Sequence, residues 1–174
     1  MTSSPFSPPP IEFAPAAQGA VRLLPLERGS CASLAAAIVA MEPWSVMSYP
    51  ADTLAAFLAN PDCGASRYVV NVAGLEAGVL SVRHPWLKGP YLELLALLPQ
   101  AQNRGIGSSI MAWFESAALK HRARNLWVCA SSFNARALRF YERHGFTTAA
   151  TLPGLVAEGY NEILLRKFPL ARRP

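Results

Sequence analysis

Cysteine is scarce and scattered: Cys31, Cys63 and Cys129 are odd in number, far apart and in no Cys-x-x-Cys spacing. That set excludes a disulfide framework and reads as reduced, intracellular thiols. The three histidines, His84, His121 and His144, show no His-x-x-x-His or carboxylate spacing, so no metal site is expected. No Gly-x-Ser-x-Gly elbow accompanies Ser131 or Ser132, which leaves a hydrolase without support. The longest apolar run, Cys31 to Met41, is about half the ~20 residues that cross a bilayer, so no membrane partner is expected. Charge is sparse at 16%, against 52% hydrophobic residues, the balance of a compact globular protein. No cationic segment precedes an apolar stretch at the start of the chain, so a secretion signal is not read there and a cytoplasmic setting is expected.

Acidic residues number 11 against 16 basic ones, a formal net charge of +5. A basic excess attracts polyphosphates, nucleic acid included. The basic residues are nevertheless scattered, apart from the tail around Arg166 to Arg173, and no aromatic-interleaved RNA motif occurs. Nucleic acid is therefore not the expected partner, and a polyanionic cofactor accounts for the excess equally well.

At 174 residues a single domain can bury its own core. Residues 1–19 carry Pro5, Pro8, Pro9, Pro10 and Pro15 and read as a disordered leader; 20–168 form the domain, and 169–174 a basic tail. Within the domain, Ala20 to Leu24 suits a strand, Gly29 to Met41 a helix, and Asp52, as N-cap, a helix reaching Asn60. Tyr68 to Val72 and Ala77 to Val82 read as a hairpin, and Tyr91 to Leu98 as a fourth strand. Ser108 to Ala123 places Ile110, Met111, Phe114, Ala118 and Leu119 on one helical face. Leu126 to Cys129 is a fifth strand, Asn134 to His144 a helix closed by Gly145, and Thr147 to Leu152 and Ile163 to Arg166 are late strands. The order βααβββαβαββ describes a mixed α/β domain.

The segment Gln102-Asn103-Arg104-Gly105-Ile106-Gly107 joins the fourth strand to a helix. Unpaired N–H groups and a positive dipole end suit a phosphate there. Ser108-Ser109 stand where a P-loop needs Lys-Ser/Thr, so NTPase chemistry is absent. Ile110 stands where a dinucleotide fingerprint needs its third glycine. A third pattern, Gln/Arg-x-x-Gly-x-Gly/Ala, is met by Gln102, Gly105 and Gly107. Downstream, Asn134-Ala135-Arg136-Ala137-Leu138-Arg139-Phe140-Tyr141 leads into Gly145-Phe146. Asn134 and Tyr141 are seven apart, about 20° short of two helical turns, and so share a face.

With these two motifs the chain resembles the GNAT superfamily of acetyl-CoA-dependent N-acetyltransferases over roughly Val21 to Lys167, and partly resembles its ribosomal-protein alanine N-acetyltransferase branch. The resemblance implies a mostly antiparallel sheet of about seven strands flanked by about four helices and splayed between the fourth and fifth strands. It implies acetyl-CoA as cosubstrate, its pyrophosphate on Asn103, Arg104, Gly105, Ile106, Gly107 and Ser108, with Gln102 in the loop. It puts the pantetheine arm against Asn134 and the backbone of Leu97. Arg136 or Arg139 could meet the 3′-phosphate, although a solvated helix face is the plainer reading of either.

Acetyl transfer to an amine needs a polarised carbonyl, a neutral nucleophile and an acid for the leaving thiolate. Tyr141 is the expected acid, since a tyrosine near 10 and a thiol near 8.5 are nearly matched. The strand-five glutamate that serves as base in the ribosomal branch has no counterpart in Leu126-Trp127-Val128-Cys129, and Glu93 is the expected base, directly or through water. At pH 7.4 a lysine-like amine costs about 4 kcal/mol to deprotonate and an α-amine under about 1, so a weakly basic acceptor is easier. The acceptor stays open between a small-molecule amine and a peptide N-terminus, with Trp44 and Tyr160 as candidate acceptor-side residues. A module that binds acyl-CoA without turnover, and a homodimer through a sheet edge or the tail, stay open too.

Overall fold

A computed structural model describes Phe6, residues 11–16 and residues 19–170. Eight strands form one sheet in the order β1-β2-β3-β4-β5-β6-β8-β7. The strands are β1 Ile11–Ala16, β2 Gly19–Pro25, β3 Ala65–Val72, β4 Leu75–Trp86, β5 Gly89–Leu97, β6 Leu126–Ser131, β7 Thr147–Pro153 and β8 Asn161–Lys167. Helices α1 (Arg28–Val39) and α2 (Ala51–Ala59) connect β2 to β3, α3 (Ile106–Lys120) connects β5 to β6, and α4 (Ala135–Arg143) connects β6 to β7. All neighbouring strands are antiparallel except β5 and β6. Among the described residues no helix is long and apolar enough to cross a membrane.

The strand period of two sorts side chains onto two helical layers. Val69, Val79 and Ala96 pack under α1 and α2 with Leu34, Ile38, Leu54 and Leu58. Their neighbours Tyr68, Val70, Leu80, Val82 and Leu92 face the other layer, where α3 sets Ile110, Met111 and Phe114 and α4 sets Tyr141. The β3–β4 hairpin turns at Ala73 and Gly74, both at positive φ, with Asn71 Oδ1 accepting from Gly74 N at 3.0 Å. Two positive-φ residues match the right-handed twist of the flanking strands.

Several expectations need correction. The segment read as a disordered leader supplies β1, which pairs with β2 from Ile11↔Leu23 to Ala16↔Gly19. The sheet therefore has eight strands, and the expected fourth and fifth become β5 and β6. The end of the segment read as a basic tail, 171–174, lies outside the described residues. Helix α2 is capped by Pro50, and Asp52 sits in its first turn, where it complements the helix dipole instead of capping. Helix α3 starts at Ile106 and not at Ser108, so Gly107 belongs to its first turn.

The expected splay is present. Strands β5 and β6 pair only at Tyr91↔Trp127 and Leu92↔Val128, after which they separate. The divergence leaves the backbone from Glu93 to Leu97 without a β6 partner, and two cavities occupy the space it opens.

Candidate active site

The larger cavity, about 470 Å³, runs from the loop before α3 to the face of α4. Leu97, Gln102, Asn103, Gly105, Ile106, Gly107, Ser108, Asn134 and Tyr141 all line it. Of the expected cofactor-binding residues only Arg104 is not brought to its wall; the side chain is exposed.

Local geometry explains the sequence of this wall. Gly105 is the N-cap of α3 at φ 77°, a left-handed conformation that glycine adopts without strain. Behind it the N–H groups of the first helical turn have no acceptor within the helix and present the positive end of the dipole. At Gly107 an added Cβ would lie 3.3 Å from Phe140 Cζ, so the glycine lets α4 close against the start of α3. Asn103 also has positive φ, 59°. Gln102 turns back on β5, its Nε2 donating to Leu97 O at 2.8 Å. Because Leu98 N donates toward β4, to Ala77 O at 2.8 Å, the alternation of a strand turns the N–H and C=O of Leu97 the other way, into the splay.

Helix α4 forms the opposite wall. Asn134 caps it, Oδ1 accepting from Ala137 N at 3.0 Å. Arg136 reaches across and donates to Gln102 Oε1 at 2.8 Å and Asn103 Oδ1 at 2.9 Å. It clamps the loop and is not merely a solvated residue on the helix face. Ser108 Oγ and His144 Nε2, 3.2 Å apart, join the two helices a second time.

The smaller cavity, about 160 Å³, lies between the diverging strands. It shares Pro43, Trp44, Leu95, Asn134, Ala137 and Tyr141 with the larger one, so Tyr141 stands where the two meet. Tyr141 is 7% exposed and packs against Phe140 and Phe146 at ring distances of 5.3 and 5.9 Å. Burial, and secondarily Cys129, raises its hydroxyl well above the usual tyrosine value, so it stays protonated at neutral pH.

Glu93 and Glu162 both line the smaller cavity, in different states. Glu93 accepts from Arg83 Nε at 2.8 Å and Ser81 Oγ at 2.9 Å, and Arg83 also pairs with Asp62 at 2.7 Å. Both oxygens expected to take a proton from an amine are thus engaged toward β4. Glu162, which sequence reasoning missed, is 5% exposed and accepts from Ser131 Oγ at 2.6 Å. Among the described residues no ion pair holds it. Burial raises its carboxyl above the ordinary range, with Ser131 pulling the other way. Ser131 and Glu162 are register partners across β6 and β8, a relation that only the antiparallel return of the chain creates.

Two loops close over this cavity. Tyr160 Oη donates to Val46 O at 3.1 Å, tying the 154–160 loop to the loop that carries Trp44 and Met47.

Residues 33–146 match the model of the acetyltransferase (GNAT) family. Among solved structures, Ard1 from Thermoplasma volcanium is similar at 22% identity, covering 87% of this chain and 99% of that one with a TM-score of 0.68. The ribosomal-protein-S18-alanine N-acetyltransferase from Escherichia coli is similar at 19% identity, with 88% and 96% covered and a TM-score of 0.67. A GNAT family acetyltransferase from Elizabethkingia anophelis with acetyl-CoA bound gives 14% identity, 85% and 97% covered, and a TM-score of 0.64.

Proposed function

Because this chain belongs to the acetyltransferase (GNAT) family, we propose that it is an N-acetyltransferase that moves an acetyl group from acetyl-CoA to a primary amine by direct attack. The observation that carries the reading is the meeting of two cavities at Tyr141, one walled by a helix N-terminus and the other by Glu93 and the buried Glu162. The residues present suit the cosubstrate: a glycine loop at positive φ, unpaired N–H groups of α3, and backbone of β5 freed by the splay.

Acetyl-CoA supplies the activated acetyl thioester. Gly105, Ile106, Gly107 and Ser108 would hold its pyrophosphate at the α3 N-terminus, with Asn103 beside them. The N–H of Leu97 would polarise the acetyl carbonyl, a preorganised dipole that needs no apolar side chain to change. Asn134 would orient the pantetheine arm while its Oδ1 caps α4. Tyr141, kept neutral by burial, would donate the proton that the departing thiolate requires. Glu93, braced by Arg83 and Ser81, would fix the β4–β5 wall of the acceptor cavity. The three free cysteines, Cys31, Cys63 and Cys129, suit a reducing cytoplasmic setting.

The test is thiol release from acetyl-CoA across a panel of small amines and peptides with free N-termini, followed by mass spectrometry of the acceptor. A mass gain of one acetyl group on nitrogen with stoichiometric thiol release supports the reading. Tight acetyl-CoA binding with no turnover on any amine would identify a binding module instead.

A further inference from the structure

Among the described residues no cation pairs with the buried carboxylate of Glu162. It lies at the β6–β8 wall of the 160 Å³ cavity, fixed by Ser131, while Glu93 in the same wall lining is already ion-paired with Arg83. The other titratable groups near it are Tyr91 and Tyr141 and the thiol of Cys129, all pushed up by burial and uncharged at neutral pH. An uncompensated buried carboxylate is costly, and a cation that enters the cavity relieves the cost. The entrance gives that cation a second property. Trp44, Met47, Leu155 and Val156 line the cavity, and Leu155 and Val156 are 58% and 42% exposed. Exposed apolar side chains gathered at a cavity mouth mark a binding surface. A volume near 160 Å³ is about that of an apolar cavity that takes up benzene, room for one branched aliphatic or aromatic group.

We propose that Glu162 receives the ammonium of the acceptor and takes its proton, and that the apolar mouth selects a primary amine whose carrier bears an uncharged apolar group. This rests on the N-acetyltransferase reading and specifies its acceptor. One ammonium proton passes to a Glu162 carboxylate oxygen. The freed nitrogen pair forms the C–N bond as the C–S bond breaks, and Tyr141 protonates the departing sulfur. The second nitrogen proton restores Tyr141, and Glu162 returns its proton to solvent. Each turnover yields one amide, one thiol and one released proton. Two sources share the chemistry, a peptide that begins with an apolar residue and a free alkylamine.

The experiment measures thiol release with a Leu-headed tripeptide amide, an Asp-headed tripeptide amide and isopentylamine, using wild type, Glu162→Gln and Glu162→Asp. Calorimetric titration of acetyl-CoA reports the integrity of each variant. Wild type is expected to prefer the Leu-headed peptide over the Asp-headed one at least tenfold in kcat/KM, and the ratio of Leu-headed peptide to isopentylamine identifies the source. Glu162→Gln should lose about 100-fold in kcat/KM with acetyl-CoA affinity within twofold of wild type, and Glu162→Asp should recover part of the loss. Unchanged kcat/KM in Glu162→Gln, or preference for the Asp-headed peptide, overturns this assignment and leaves the N-acetyltransferase reading standing. No thiol release by wild type on any amine overturns both.

Discussion

Replacing Tyr141 by Phe removes one hydroxyl from the junction of the two cavities and keeps the ring, so the contacts with Phe140 and Phe146 persist and the fold should hold. The size of the effect follows from the proton balance. A tyrosine near 10 gives its proton to a thiolate near 8.5 against a gap of about 1.5 units, or about 2 kcal/mol. Burial raises Tyr141 further, which alone would make it a poorer acid. The same wall acts on thiols, however, and the chain carries its own gauge: Cys129 is pushed up to about 11, by burial first and the Glu162 charge second. A thiolate departing against that wall is correspondingly more basic, so the transfer stays near balance. Loss of a matched general acid costs about 10²- to 10⁴-fold, or about 3–5 kcal/mol of barrier. The assay is continuous thiol trapping at saturating acetyl-CoA, paired with calorimetric titration of acetyl-CoA. The expected result for Tyr141→Phe is kcat down by at least 100-fold with cofactor affinity within twofold. A kcat within threefold of wild type would refute the reasoning, because the thiolate would then be leaving without this proton.

Arg136→Ala releases the two amide oxygens of Gln102 and Asn103 that shape the loop; at about 1 kcal/mol, acetyl-CoA affinity should fall about fivefold by calorimetry while kcat at saturation is kept. Tyr160→Phe severs the tie to Val46 while sparing the ring contact with Phe133, so KM for the acceptor should rise about threefold with kcat and acetyl-CoA affinity unaltered in steady-state assays. Glu162→Gln should also change stability with pH. The raised carboxyl binds its proton more tightly in the folded state than in the unfolded chain, so stability is full below the unfolded value and declines as pH rises through the folded one. Scanning calorimetry should therefore find Glu162→Gln more heat-stable than wild type at pH 7.5, with the difference shrinking toward pH 4; equal differences at both pH values would contradict the burial argument.

The loop and the α4 motif were legible because their chemistry is local. Gly105 and Gly107 sit five and three residues before Ile110 on one turn of chain, and Asn134 caps the helix whose next two turns deliver Tyr141. The strand order of the hairpin region followed from turn chemistry at Ala73-Gly74 for the same reason. The acids were not legible. Glu93 looked available because nothing in the sequence announces that Arg83, ten residues earlier on an adjacent strand, would reach its carboxylate. Glu162 was invisible because its relation to Ser131 spans 31 residues and exists only once β8 inserts between β6 and β7. The leader was misread for a related reason: prolines argue against a strand, but Ile11–Ala16 occupies a sheet edge, where a missing N–H costs no ladder bond.

The two-rung contact between β5 and β6 gives the sheet a mechanical seam. On one side stand β1 to β5, on the other β6 to β8, fastened at Tyr91↔Trp127 and Leu92↔Val128 and free beyond. An extended ligand lying in the gap would act as a surrogate ninth strand, closing a ladder the polypeptide leaves unfinished. Ligation would then be read by the backbone as added sheet, slowing amide exchange at Leu97 and joining two halves into one cooperative unit. A cosubstrate bound there would also be a part of the scaffold.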